Sequence, residues 1–289
     1  MGRYTRLREI RRMDPERDFE QIFRWLTQYE FPWDYAQGVS VAFLRDYGVP
    51  RISQLLDRTQ EFERNGQKRY DDTVLLGHEM AADGFDSARG RAAARHLNRI
   101  HGKYLIADDD FRYVLATTVV GPERWIDRYG WRPLCANEKA ALALVGHKLA
   151  ELMGIPDAPR TMAGYEKLLD DYEAAMFAYH RVANATFRVM ASWYPAVLRP
   201  AVARFSLALL DEPLLRALGF PVQPPWLRTL AHRALRSRAT VVRLLPARPD
   251  SRPGLSRPRS YPFGHTLDDL GPAWAQHRPL RPLPREDTR

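Results

Sequence analysis

QKRYDDTVLLGHEMAADGFDSARGRAAARHLNRIHGKY, residues 67–104, carries two helical patterns and the main candidate functional residues of the chain. Apolar residues recur here at helical spacing, as they do along most of the sequence, and strand alternation is scarce. We expect one helix to begin at Asp71 or Asp72 and a second to run from about Arg89 to Tyr104. The pattern predicts an all-α fold.

Further helices and an irregular tail are expected on either side of this stretch. Proline and arginine dominate from about Pro246, and such a composition cannot form a core of its own. We therefore expect a lead-in at 1–15, a single helical domain at 16–245, and a Pro/Arg-rich tail at 246–289 that packs partly on the domain. The expected helices lie at about 16–29, 34–47, 52–58, 108–126, 137–153, 161–180, 184–192, 195–210, 212–218 and 225–243.

The composition is that of an ordinary globular protein, with 45% hydrophobic and 27% charged residues among 289. The net charge of +9 would permit contact with nucleic acid. However, no Lys/Arg block interleaved with aromatics and no zinc-finger or RNA-binding motif occurs, so we expect no nucleic-acid partner. Cys135 is the single cysteine, which excludes an internal disulfide and a multi-thiolate metal site.

The sequence offers no segment that we expect to enter or cross a membrane. The first residues are charged throughout and lack the apolar core of a signal peptide, and no run of about 18 apolar residues occurs. We expect a cytoplasmic protein. Near the C-terminus, the basic helix with Trp226, Leu227 and Leu230 on one face fits either core packing or contact with a membrane surface. Peripheral membrane contact therefore stays open.

The junction at 67–73 is unusually polar for the start of an apolar helix. Asp71 and Asp72 can cap that helix, and the guanidinium of Arg69 can bind a carboxylate with two hydrogen bonds. A capped, solvated helix start fits these residues. An Arg, Asp and Thr set that borders an anionic cofactor group, with Thr73 as its third member, fits them as well.

His101 lies in a second polar group, Asn-x-x-His-Gly-x-Tyr. On a helix it shares an apolar face with Ala94, Leu97 and Tyr104. A histidine on such a face is commonly a satisfied core residue. A neutral imidazole in an apolar shell is also what an iron porphyrin needs as an axial ligand, and Gly102 removes a side chain beside it.

Several enzyme classes are unlikely because their motifs are absent. The chain has no His-Glu-x-x-His and no pair of Glu-x-x-His motifs, which argues against zinc hydrolases and di-iron bundles. It also lacks Gly-x-Gly-x-x-Gly, a P-loop and Gly-x-Ser-x-Gly. These absences argue against Rossmann oxidoreductases, NTPases and α/β-hydrolases.

The order of these motifs resembles a known family. Arg69-x-x-Asp72-Thr73, followed 28 residues later by His101, is similar to the superfamily of latex-clearing proteins and MpaB-type oxygenases, and more closely to its MpaB-like bacterial branch. The resemblance covers about residues 16–272. Further stretches that carry it are 29–34, 68–73, 104–110, 124–126, 129–132 and 261–264.

The resemblance implies a globin-related all-α fold that encloses a haem b, and dioxygen chemistry. A histidine of the rubber-cleaving relatives binds the haem iron and matches His101. An arginine and a threonine near the haem match Arg69 and Thr73, whereas Asp72 stands where those enzymes place a lysine. The fungal relatives cleave a prenyl chain on an aromatic ring and carry an N-terminal membrane anchor, for which we expect no counterpart here.

These observations lead to the expectation of a haem b-dependent oxygenase that uses dioxygen on a hydrophobic, isoprenoid or lipid-like substrate. His101 is the expected iron ligand. Arg69, Asp72 and Thr73 are the expected catalytic set, of which Arg69 and Thr73 also contact the cofactor. The alternative is a non-enzymatic helical protein that binds haem or a lipophile, and a third interpretation is a helical scaffold without a cofactor.

Overall fold

The computed structural model describes residues 2–180, 187, 195–254 and 258–276. Every regular element in these residues is a helix and none is a strand, which confirms the all-α fold. The α-helices are α1 Thr5–Ile10, α2 Pro15–Trp25, α3 Pro32–Asp46, α4 Pro50–Thr59, α5 Glu61–Ala81, α6 Ala88–His101, α7 Asp108–Tyr129, α8 Ala136–Met153, α9 Met162–Met176, α10 Arg199–Leu209, α11 Glu212–Ala217 and α12 Pro225–Leu244.

Local signals explain where many of these helices begin. The Asp14 carboxylate accepts a hydrogen bond from the Glu16 amide at 3.0 Å, and Pro15 occupies the first turn of α2. Ser87 caps α6 in the same way, through the Gly90 amide at 2.9 Å. Such caps satisfy amide groups that have no partner within the helix, so the sequence alone places these starts well.

The chain forms two compact units, Met1–Arg64 with Ile106–Ser256, and Asn65–Leu105 with Arg257–Arg289. The boundary at residue 65 falls within α5, where Asn65 has a non-helical backbone (φ −133°, ψ 36°). The expected division into 1–15, 16–245 and 246–289 remains a prediction.

The first unit is built around α3, α7, α8 and α9. Its core contains fully buried aromatic and aliphatic side chains, among them Phe31, Tyr113 and Tyr165. The crossing of α3 and α7 is close: a Cβ at Gly38 would lie 2.3 Å from the Cα of Pro122. Only glycine fits there, because the neighbouring atoms belong to the backbone.

The second unit consists of α5 after Asn65, α6 and the described tail segment 258–276. Its apolar core joins all three. Buried Leu75 and Leu76 of α5 pack with Tyr261 and Leu270 of the tail, and Leu97 and Ile100 of α6 add partly buried contacts. The tail segment thus supplies part of the core of this unit, although its composition cannot form one alone.

Three expected helix boundaries are wrong. The helix expected to begin at Asp71 or Asp72 begins at Glu61, so both aspartates lie inside α5 and cannot cap it. α6 ends at His101, where Gly102 is the C-cap, and not at Tyr104. α9 ends at Met176 and not near residue 180. The helix expected at 184–192 lies, apart from Phe187, outside the described residues.

No helix among the described residues is both long enough and apolar enough to span a membrane.

Candidate functional site

Two neighbouring stripes of α5 carry the polar residues at 67–73. Arg69 and Thr73 are four residues apart and share a face, and so do Lys68 and Asp72. The two stripes differ by one position, or about 100° around the helix axis. A single helix can therefore present Arg69 with Thr73 in one direction and Asp72 in another.

The Arg69–Thr73 stripe is a closed pair. Nη1 of Arg69 donates a hydrogen bond to Oγ1 of Thr73. The Thr73 hydroxyl donates in turn to the backbone carbonyl of Arg69, with an O···O distance of 2.9 Å. Thr73 thereby holds the side chain of Arg69 in one conformation. An arginine guanidinium has five N–H donors, of which this pair uses one.

His101 is the last residue of α6, and its imidazole is partly buried. Burial and, to a smaller extent, the positive charge of Arg69 together lower the pKa of His101 to about 4. The imidazole is therefore neutral at pH 7. The effect of Arg69 also shows that the structure brings these two residues within electrostatic range.

The residues at this position suit a haem. A neutral imidazole is the form that binds iron, and the Arg69 guanidinium is complementary to a haem propionate. No group of three or more His, Cys, Asp or Glu in the described ranges is arranged to hold a metal ion. A single imidazole from the protein would be enough to hold the iron of a haem.

Gly102 follows His101 at the end of α6. It is exposed, and a Cβ there would lie 3.2 Å from the carbonyl oxygen of Asn98. Its backbone N–H donates to that same carbonyl at 2.8 Å. Gly102 thus ends α6 as its C-cap, and its role in leaving space beside His101 remains a prediction.

Asp72 belongs to a separate, buried network. Its carboxylate is 3% exposed and accepts hydrogen bonds from Nζ of Lys68 at 2.7 Å and from the hydroxyl of Tyr261. Burial raises the pKa of Asp72, and the bonds from Lys68 and Tyr261 oppose that rise. Lys68 also donates to the Gly271 carbonyl at 2.8 Å. Asp72 therefore links α5 to the tail segment.

Sequence reasoning missed Lys68 and Tyr261 as members of this network. It also missed the partners of Asp71, which accepts from Gln67 at 3.1 Å and from the Ser260 amide at 2.8 Å. The spacing of four residues in Gln67–Asp71 and Lys68–Asp72 was a usable signal for pairs along a helix. Nothing in the spacing pointed to Ser260 or Tyr261.

His96, the other histidine of α6, is a structural residue. Its Nδ1 lies 2.8 Å from Nη2 of Arg99, and its Nε2 lies 2.9 Å from the Leu270 carbonyl. Because Arg99 can only donate, Nδ1 accepts and Nε2 carries the proton. Both ring nitrogens are therefore engaged. Gly271 sits against this group at φ +97°, and a Cβ there would lie 2.7 Å from Cδ1 of Ile100.

Replacing Arg69 by glutamine is expected to raise the pKa of His101 from about 4, because the substitution removes a nearby positive charge. The rise should stop short of the ordinary histidine value, since burial is the larger cause of the lowering. An NMR titration of the His101 ring in the cofactor-free protein measures this. Arg95→Gln, an exposed arginine of α6, is the matched control and should leave the pKa unchanged. An equal pKa in Arg69→Gln and wild type would contradict the grouping of Arg69 with His101.

The sequence matches one protein family and several known proteins. Residues 36–244 match the family described as "ER-bound oxygenase mpaB/B'/Rubber oxygenase, catalytic domain", a range that includes all four predicted site residues. The chain is 28% identical over 251 residues to the ER-bound oxygenase mpaB' of Penicillium brevicompactum, covering 79% of this chain and 59% of that protein. It is 28% identical over 250 residues to the ER-bound oxygenase mpaB of Penicillium roqueforti (strain FM164), covering 75% of this chain and 84% of that protein.

The chain thus spans less than two thirds of the length of the first of these relatives. A third similar protein, the ER-bound oxygenase mpaB of Penicillium brevicompactum, is 33% identical over 140 residues, covering 46% of this chain and 36% of that protein. The resemblance expected from the sequence motifs is confirmed.

Proposed function

This chain belongs to the family of mpaB/B' and rubber oxygenase catalytic domains, and we propose from that membership that it is a haem b-dependent oxygenase. The observation that carries the proposal is the neutral imidazole of His101 within electrostatic range of the Arg69–Thr73 pair. A haem bound there would supply the activation of dioxygen. The names of the three similar proteins, all oxygenases, support the reaction class.

Each of the site residues has a different proposed role in binding the cofactor. His101 would bind the iron through a ring nitrogen, which its low pKa keeps unprotonated at neutral pH. Arg69 would pair with a propionate, and Thr73 would hold Arg69 in place through the hydrogen bonds described above. All three residues act by binding and orientation, which is the share of the chemistry that a protein contributes around a haem.

Asp72, also predicted to belong to the catalytic set, is proposed as a positioning residue. Its two hydrogen-bond donors, Lys68 and Tyr261, tie α5 to the tail segment. Arg69 and Thr73 are immediate neighbours of Lys68 and Asp72 in α5. The network therefore sets the orientation of the stripe that carries them.

The proposed substrate is hydrophobic, an isoprenoid or another lipid-like molecule, and the proposed location is the cytoplasmic side of a membrane surface. Support for membrane contact comes from α12, where the large apolar side chains of Trp226, Leu230, Val241 and Leu244 are each more than half exposed. At 100° per residue these four positions fall within about 60° of one another around the helix. Such a stripe suits shallow insertion among lipid headgroups.

Oxygen consumption by the purified protein tests the proposal. We expect a haem absorption spectrum, and oxygen uptake that requires both haem and an isoprenoid substrate, with a cleaved or oxygenated product found by mass spectrometry. Samples without oxygen are the control. Haem binding without oxygen-dependent product, across a panel of polyprenyl lipids, would instead support the non-enzymatic haem- or lipophile-binding protein. Absence of haem binding would support the third interpretation, a helical scaffold without a cofactor.

A further inference from the structure

A pocket of about 480 Å³ in the first unit is lined by five arginines and one acidic side chain. It lies where α1, the loop after α7 and α12 come together, and none of the four predicted site residues lines it. Its charged lining consists of Arg11, Arg128, Arg132, Arg236, Arg243 and Asp127. The pocket is thus a second candidate binding site, separate from the predicted site residues.

Most of this positive charge is not neutralised by the protein. The Asp127 carboxylate is engaged by Nζ of Lys139 at 2.5 Å and by the Leu134 amide at 2.8 Å. Arg132 is the one arginine with carboxylate partners, Glu138 at 2.7 Å and Glu30 at 3.3 Å. Within the described part of the chain, the other four arginines have no carboxylate at ion-pair distance.

Two of these four arginines frame a recess on α12. Arg236 and Arg243 are two turns apart on one face, or about 10 Å along the axis. Ala239 and Thr240 line the pocket between them, and their short side chains leave the space open. Nε of Arg243 donates to the Tyr4 hydroxyl at 3.0 Å, which orients the guanidinium and leaves its terminal amino groups available to an acceptor.

A third arginine, Arg128, lines the pocket from α7. The guanidinium carbon of Arg128 lies 5.4 Å from the ring centroid of Tyr129, and its Nη2 is 3.4 Å from Nε2 of His232. Burial lowers the pKa of His232, and the positive charges of Arg128, Arg228 and Arg236 lower it in the same direction. The local potential is therefore positive before any ligand arrives, which favours an anion.

We propose that this pocket binds the phosphate group of a phosphate ester, either a soluble one or the headgroup of a phospholipid. Arginine guanidinium groups bind phosphate oxygens in pairs of parallel hydrogen bonds. A phosphate monoester carries a charge of about −1.5 to −2 at pH 7, which matches several uncompensated arginines better than a single carboxylate does. The volume is within the roughly 300–1,000 Å³ of small-molecule sites.

Isothermal titration of the full-length protein with inorganic phosphate tests the site. We expect saturable binding that is at least about tenfold weaker in the double variant Arg236→Gln/Arg243→Gln, equivalent to about 1.4 kcal/mol. Arg233→Gln removes one positive charge, half of what the double variant removes, from an exposed position of α12 that does not line the pocket. Arg233→Gln should change the affinity for phosphate less than about twofold, because the loss of one exposed charge outside a site has a small effect. Far-UV circular dichroism of the double variant shows whether its loss of affinity reflects unfolding. The single variant Arg236→Gln gives a second measurement with a smaller change to the protein.

The two sources of phosphate are separated by sedimentation with vesicles. Phosphatidylcholine vesicles with and without phosphatidic acid serve as the probe. Binding that requires phosphatidic acid and is lost in the double variant assigns a lipid headgroup. Saturable binding of inorganic phosphate without dependence on phosphatidic acid assigns a soluble ester. The proposal is overturned if neither probe binds, or if Arg233→Gln weakens binding as much as the double variant. Neither result depends on haem.

Discussion

Replacing His101 by alanine is expected to abolish the haem Soret band of the purified protein. The substitution removes the neutral imidazole that we propose as iron ligand, and nothing in the Arg69–Thr73 pair can replace an axial nitrogen. Loss of a residue that only hydrogen-bonds to a metal ligand typically lowers metal affinity by about 10–100-fold. Loss of the ligand itself should cost at least about 100-fold, or about 2.7 kcal/mol. Pyridine haemochrome assay and haem titration of the cofactor-free protein measure the effect.

Two controls separate loss of the ligand from damage to the fold. His78→Ala changes an exposed histidine of α5 and should keep the spectrum of the wild type. Free imidazole added to His101→Ala should restore a Soret band, because it can enter the cavity that the side chain leaves. Full haem occupancy with an unchanged spectrum in His101→Ala would remove His101 from the site.

Replacing Asp72 by alanine is expected to destabilise the folded protein by about 3 kcal/mol. The change leaves the ammonium of Lys68, whose side chain is 19% exposed, with only the Gly271 carbonyl as acceptor, and it removes an acceptor from Tyr261. Breaking a buried ion pair from one side costs about 3–5 kcal/mol, and the partial exposure of Lys68 favours the low end. Urea unfolding, with hydrogen exchange in α5 and residues 258–276, measures the loss and its location.

The matched control for this change is Asp83→Ala in the same unit. The Asp83 side chain is 61% exposed and lies 3.5 Å from Arg89, so its loss should change stability by less than about 0.5 kcal/mol. Asp72→Asn keeps the shape and one acceptor oxygen and tests for a role in catalysis. A positioning role predicts near wild-type turnover per bound haem in Asp72→Asn. Equal stability of Asp72→Ala and Asp83→Ala would contradict the network.

The sequence predicted the helical class and many helix starts correctly because their signals are local. The expected helices at 137–153 and 225–243 correspond to Ala136–Met153 and Pro225–Leu244. Proline, capping residues and apolar spacing act within a turn or two of the chain, so they can be read without knowledge of the fold. Helix ends near residues 104 and 180 were misplaced by a few residues, as expected where fraying ends carry weaker signals.

The misreading of Asp71 and Asp72 has a different cause. An aspartate before an apolar run is a standard N-cap signal, and the same residue four positions after a glutamine or lysine is a standard helix-interior pair. Both patterns are present at 67–73. In the structure the helix begins at Glu61, so both aspartates lie inside it, and they accept hydrogen bonds from Ser260 and Tyr261, 189 residues away in sequence.

The stretch 67–104 therefore contained both what the sequence could determine and what it could not. Composition and spacing determined two helices, because these depend on helix periodicity alone. The pairing of Arg69 with Thr73 on one face followed only from the start of α5 at Glu61 in the structure, ten residues before the expected start. Only the tertiary structure decided that His101 is neutral and lies near Arg69, and that Asp72 accepts a hydrogen bond from Tyr261. The tertiary structure likewise brought together the arginines that line the pocket between α1, the loop after α7 and α12. The physical reason is that burial and charge act through space, between residues that have no relation along the chain.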